Sequence, residues 1–158
     1  MASRRGVGWI FKWMTRRTAS SYALIGEAIM LLHEQRLGFD GRTQHLLLRN
    51  TIAALRYLNL LLVALRPELA STDEGRTLVA LSSLGAAHRP PMDAAHRSRV
   101  GYIDDLLGTA ARESAKVRLL LTCVGERRSA AALALDEINV HLTKARTLLD
   151  VTAVRSRV

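Results

Sequence analysis

Arg42, Arg49 and Arg56 recur at intervals of seven. On an α-helix seven residues make two turns, so the three guanidiniums line one face about 10 Å apart. A guanidinium is a planar fork of donors that grips phosphate or carboxylate at two points, whereas an ammonium acts as a point charge. The chemistry on offer is anion binding, and the successive phosphates of an RNA or DNA backbone suit such a row. No acidic residue lies within four positions of Arg49 or Arg56. That favours an external anion over the competing reading, a solvated face laced with local salt bridges.

Two further basic clusters are candidates for the same chemistry. Arg89, Arg97 and Arg99 gather with His88 and His96 around Pro90-Pro91, on a loop and the start of a helix. Arg127 and Arg128 follow Glu126 where the last helix should open. Cations there oppose the helix dipole, so they either face a phosphate or belong to the preceding loop.

The N-terminus is of a different kind. Arg4, Arg5, Lys12, Arg16 and Arg17 precede the first acid, Glu27, and enclose Trp9-Ile10-Phe11-Lys12-Trp13-Met14. As a helix this segment pairs Trp9 with Trp13, and Ile10 with Met14, at i,i+4. Trp9, Phe11 and Trp13 suit docking onto a protein or RNA partner. A membrane-surface helix and an organelle transit segment are the alternatives, with membrane the less favoured. The segment is too short and too charged for a secretory hydrophobic region or a membrane span.

Catalysis finds no support. The five histidines, His33, His45, His88, His96 and His141, form no metal-ligand spacing. Glu137 and His141 are helical i,i+4 neighbours beside Asp136, which reads as a salt-bridge-type pair, since ligands from one helix alone close no metal site. Asp104 and Asp105 are adjacent and point in different directions. No phosphate-binding glycine loop, dinucleotide fingerprint or nucleophile elbow occurs. Cys123, the one cysteine, lies in the run Leu119–Val124 and reads as a buried, inert thiol of a reducing, cytoplasmic compartment. We expect no catalytic residues, no metal and no cofactor.

Aromatic usage bears on the mode of binding. Outside the N-terminal segment only Tyr22, Phe39, Tyr57 and Tyr102 occur. Single-strand binders offer stacking platforms, so so small a set predicts backbone contacts without base readout and strong salt dependence.

The elements that must position these residues are helices. The chain has 158 residues, 49% of them hydrophobic, but only 4% aromatic, with three prolines and ten glycines. A core of Leu, Ala, Val and Ile suits helix-on-helix packing. The 23 Lys+Arg against 14 Asp+Glu leave a formal charge of +9, which bears on partners rather than fold. A first helix is predicted from Ser20 or Ser21, the N-cap, to Leu37, with Leu24, Ala28, Leu31 or Leu32, and Gln35 inward. The second, about 42–66, carries the stripe Leu47, Thr51, Ala54, Leu58, Leu61 and Leu65, widened by Leu48, Ile52, Leu55 and Leu62. Its 51–65 stretch is apolar but falls short of the roughly 20 residues of a span. A short helix should follow Ser71-Thr72-Asp73-Glu74 and end before Arg89-Pro90-Pro91. A fourth begins near Asp93 or Ser98 and reaches Val124, on Ile103, Leu107, Ala110, Ser114, Val117, Leu121 and Val124, with Gly101 and Gly108 weakening it locally or permitting close approach. A fifth follows Gly125 and runs to Leu149 on Ala131, Leu135, Ile138, Leu142, Ala145 and Leu149. The expected organisation is all-α: a basic aromatic arm over 1–18, a four- to five-helix bundle over 19–150, and a frayed basic tail over 151–158.

In length, helix content and the arginines Arg42, Arg49, Arg56 and Arg89, the chain resembles the small subunits of CRISPR effector complexes. The resemblance is one of class and rests on no sharp motif. It implies a non-catalytic basic subunit of a nucleoprotein assembly, stacking on itself and on other protein subunits along a nucleic-acid path. The alternative is a helical adaptor or chaperone that uses the N-terminal aromatics to bind a partner protein or a membrane surface.

Overall fold

The computed structural model describes residues 4–34, 39–65, 99–125 and 129–156. They form four helices: α1 (Arg4–Glu34), α2 (Gly41–Leu65), α3 (Arg99–Cys123) and α4 (Ala130–Ser156). No strand occurs among the described residues.

Local chemistry sets the helix ends. Asp40 caps α2: its Oδ1 accepts from the Thr43 amide at 2.7 Å, and its carbonyl accepts from the Gln44 amide at 3.0 Å. α3 stops at Gly125, whose φ of 83° is a left-handed conformation that costs glycine nothing. Ser129 then opens α4 by accepting the Ala132 amide on its Oγ at 3.2 Å.

Each helix packs on two others: α1 on α2 and α3, and α4 on α2 and α3. The order around the core is therefore α1, α2, α4, α3. Arg17 meets Glu113, Ser21 meets Ala110 and Tyr102 meets Glu27, so α1 and α3 run antiparallel. Gln44 donates to the Leu32 carbonyl and Leu62 packs on Ala19, so α1 and α2 do as well. Arg118 with Asp136 and Arg146 with Asp104 make α3 and α4 a third antiparallel pair.

The stripes predicted for α2, α3 and α4 are the ones buried. All six stripe residues of α2 are in the core with Leu62, while Leu48, Ile52 and Leu55 are half-buried. Ile103, Leu107, Ala110, Ser114, Val117 and Leu121 face inward from α3, as do Ala131, Leu135, Ile138, Leu142, Ala145 and Leu149 from α4. Val124, the last residue of the predicted α3 stripe, lies past the end of the helix and is only half-buried.

Two boundaries and the exposure of one residue differ from expectation. No helix begins at Ser21, because α1 runs unbroken through it, with Met14, Thr18, Ala19, Ser20 and Ser21 buried. Ser21 is a spacer where α1 crosses α3, and its hydroxyl donates to the Ala110 carbonyl at 3.3 Å. Thr15 and Thr18 donate back to the carbonyls four residues earlier, each at 2.8 Å, which satisfies their hydroxyls without ending the helix. The last helix continues past Leu149 to Ser156, since no Gly or Pro interrupts it. Cys123 is exposed rather than buried; it is the last residue of α3, two positions past the inward-facing Leu121. The short helix expected after Ser71 and the Arg89-Pro90-Pro91 break lie outside the described residues.

Over its full 25 residues α2 is long and apolar enough, by length and composition alone, to cross a membrane. The core helix of a bundle passes the same test, and the stripe of α2 is committed to protein packing.

Leu58 and Leu60 separate core from surface: Leu58 is fully buried, whereas Leu60 is 58% exposed. Leu58→Ala should lower the unfolding free energy by about 2–5 kcal/mol. Leu60→Ala should change it by less than about 0.5 kcal/mol. Urea denaturation of the two variants beside the parent checks both.

Candidate nucleic-acid interface

The stripe of α2 decides where its arginines point. With Leu47, Ala54, Leu58 and Leu61 turned to the core, helical period carries Arg42, Arg49 and Arg56 to the opposite side, and all three are exposed. The helix contains no acidic residue. Among the described residues none of the three has an acidic partner.

Other cations behave differently. Arg17 donates to Glu113 at 2.5 Å while its guanidinium lies over the Trp13 ring, 4.2 Å from the centroid. Lys116 approaches the other oxygen of Glu113 at 3.5 Å. Arg118 pairs with Asp136 and also donates to the Ala132 carbonyl at 3.1 Å. Arg146 donates through Nε to Asp104 at 3.0 Å, and this hydrogen bond holds its proton more firmly than that of a free guanidinium. Its guanidinium crosses Gly108, where a Cβ would sit 3.2 Å from it. The close approach at Gly108 is thus made by an arginine head group. Arg17, Arg118 and Arg146 tie helices together, Lys116 pairs within α3, and the arginines of α2 do neither.

The face carrying Arg49 and Arg56 is grooved. A cavity of ≈ 780 Å³ is lined by these two arginines, His45, the apolar Leu48, Ile52, Ala53 and Leu60, and the rings of Tyr57 and His141. His141 reaches it from α4. Its ring stacks on Tyr57 with centroids 5.8 Å apart and planes 16° from parallel. Its Nδ1 lies 3.0 Å from Asn50 Oδ1. Because the Asn50 amide nitrogen donates to the Leu46 carbonyl at 2.8 Å, Oδ1 is the acceptor and the His141 Nδ1 carries the hydrogen. Nε2 faces Glu137 Oε2 at 3.6 Å, the helical pair expected from their spacing.

The remaining candidates fall elsewhere. Arg99 is exposed at the start of α3, at the same end of the helices as Arg42. Arg89, Arg97, Arg127 and Arg128 lie outside the described residues. The N-terminal aromatics divide: Trp9 is 62% exposed, whereas Phe11 and Trp13 pack against the core. Sequence reasoning passed over Tyr57 and His141. The i,i+7 spacing of Asn50 and Tyr57 on α2 was a usable sign of a shared face, but the ring they meet comes from another helix.

No family model, curated protein or solved structure matches this chain.

Glu113, side chain 10% exposed, holds Arg17 across the α1–α3 interface and Lys116 one turn along α3. Glu113→Ala leaves Arg17 at a helix interface without its counter-ion. The expected loss is about 2 kcal/mol of unfolding free energy, read by chemical denaturation.

Proposed function

We propose that this chain is a non-catalytic helical subunit of a nucleoprotein assembly that holds an RNA or DNA backbone on the outer face of α2. The observation that carries this reading is the row Arg42, Arg49 and Arg56, exposed, without an acidic partner among the described residues, on a helix that has no acid of its own. The charge of +9 supports it, because a net positive field draws in polyanions. Arg99, and the sequence candidates Arg89, Arg97, Arg127 and Arg128, extend the same basic character. The finer architecture belongs to the proposal too: a four- to five-helix bundle with a basic aromatic N-terminal arm, working in the cytoplasm beside other protein subunits, as the small subunits of CRISPR effector complexes do.

A second reading, a helical adaptor, is favoured by one observation: Trp9 stands exposed at the basic end of α1. Here Trp9 docks on a partner protein. Deleting residues 1–18 is a poor test, since Met14 and Thr18 belong to the core. Trp9→Ala is the clean variant.

Protein purified at low salt should carry a raised 260/280 nm absorbance ratio that a high-salt wash removes. In a binding titration, the double variant Arg49→Glu and Arg56→Glu should keep the parent's circular dichroism spectrum and melting temperature while losing affinity for nucleic acid. Milder Arg49→Gln and Arg56→Gln changes should make the log–log salt dependence shallower by about two. Unchanged affinity in the Glu double variant overturns the reading. Loss of partner binding in Trp9→Ala alone supports the adaptor.

A further inference from the structure

The grooved face of α2 brings cations, apolar side chains and aromatic rings together in one cavity. A binder of duplex backbone has little use for the apolar part of it. Phosphates and sugars of a duplex are solvated, and its bases are stacked and paired inside. Yet Leu48, Ile52, Ala53 and Leu60 line the same cavity as Arg49 and Arg56, and Leu60 is left 58% exposed. The Tyr57–His141 stack adds two aromatic rings to the same lining. Exposed apolar surface flanked by unpaired cations fits a ligand that is itself apolar between its charges.

We infer that this groove takes an unstacked base of a single-stranded nucleic acid, with Arg49 and Arg56 on the flanking phosphates. The inference rests on the backbone-binding reading and names its substrate class. A single strand exposes the π-face of each base, and stacking on an aromatic side chain tolerates any base sequence. The two arginines stand about 10 Å apart along the helix and anchor the strand to either side of the cavity. Tyr57 and Leu60 supply the apolar contact. Tyr57 is held by the ring of His141, which Asn50 fixes in turn through its Oδ1, so the platform is set before the ligand arrives. This amends the expectation of backbone contact alone: few aromatics are present, but Tyr57 and His141 line the same cavity as the arginines.

The test compares three probes by fluorescence anisotropy. The first is a single strand of about 12 nucleotides, within the site sizes of known single-strand modules, taken as the tighter of oligothymidylate and oligouridylate. The second is a strand of the same length lacking its bases. The third is a duplex of the same length. The base-bearing strand should bind about tenfold or more tightly than the abasic strand, and more tightly than the duplex. Tyr57→Leu and Leu60→Ser should each shrink the gap between the base-bearing and abasic strands, and Tyr57→Phe should keep it. Leu60 is exposed, so Leu60→Ser keeps the test valid even if Tyr57→Leu disturbs packing. Equal, salt-sensitive binding of the two strands, still weakened by Arg49→Glu, overturns the base pocket and leaves the backbone reading standing. Absence of salt-sensitive binding to any of the three probes overturns both.

Discussion

Burial of the α2 stripe is the constraint on which the rest depends. Leu47, Thr51, Ala54, Leu58, Leu61, Leu62 and Leu65 all face the core, where they meet stripes from α1 and α4. Each such leucine contributes roughly 1.5–3 kcal/mol by leaving water. Rotating α2 about its axis would expose several at once, so the orientation of the helix is held by far more free energy than any surface charge could oppose. Arg42, Arg49 and Arg56 lie opposite the stripe and are carried outward. Their exposure is a by-product of core formation, and it leaves a cationic face on α2 without a dedicated loop.

The protein handles its positive charge in two ways. Inside the bundle, cations are neutralised: Arg17 on Glu113, Arg118 on Asp136 and Arg146 on Asp104 between helices, and Lys116 on Glu113 within α3. Such pairs contribute modestly when exposed and more when sheltered, and Glu113 is the most sheltered acid among them. To its own outer side α2 supplies no acid. A row of uncompensated guanidiniums repels itself, and a bound polyanion relieves that repulsion while releasing counterions. The same contrast explains why Trp13 is not free for docking: its ring is already covered by the guanidinium of Arg17.

Small and hydroxyl-bearing residues shape the helix crossings. Thr18, Ala19, Ser20 and Ser21 form a run of short buried side chains on α1, which lets α3 come close enough for Ser21 to reach the Ala110 carbonyl. In isolation Ser and Thr favour helix ends, because their hydroxyls compete for backbone groups. Inside the bundle Thr18 is satisfied by its own helix and Ser21 by a neighbour, the Ser20 hydroxyl is buried without a hydrogen-bond partner, and packing overrides the preference.

Much of this was legible from residue spacing. The inward faces of α2, α3 and α4 follow from apolar residues at three- and four-residue steps, because burial and the 3.6-residue period leave one solution for each helix. The all-α class and the outward direction of Arg49 and Arg56 follow from the same period. What spacing could not supply was anything that depends on a second helix. Ser21 looks like a cap until Ala110 is beside it, and Trp13 looks free until the core and Arg17 cover it. The groove is the clearest case: Tyr57 and His141 stand 84 positions apart in the chain and meet only because α2 and α4 pack side by side. Local sequence determined which face of each helix is apolar. Only tertiary packing, which sets the neighbours of each face, decided which polar and aromatic groups share a site.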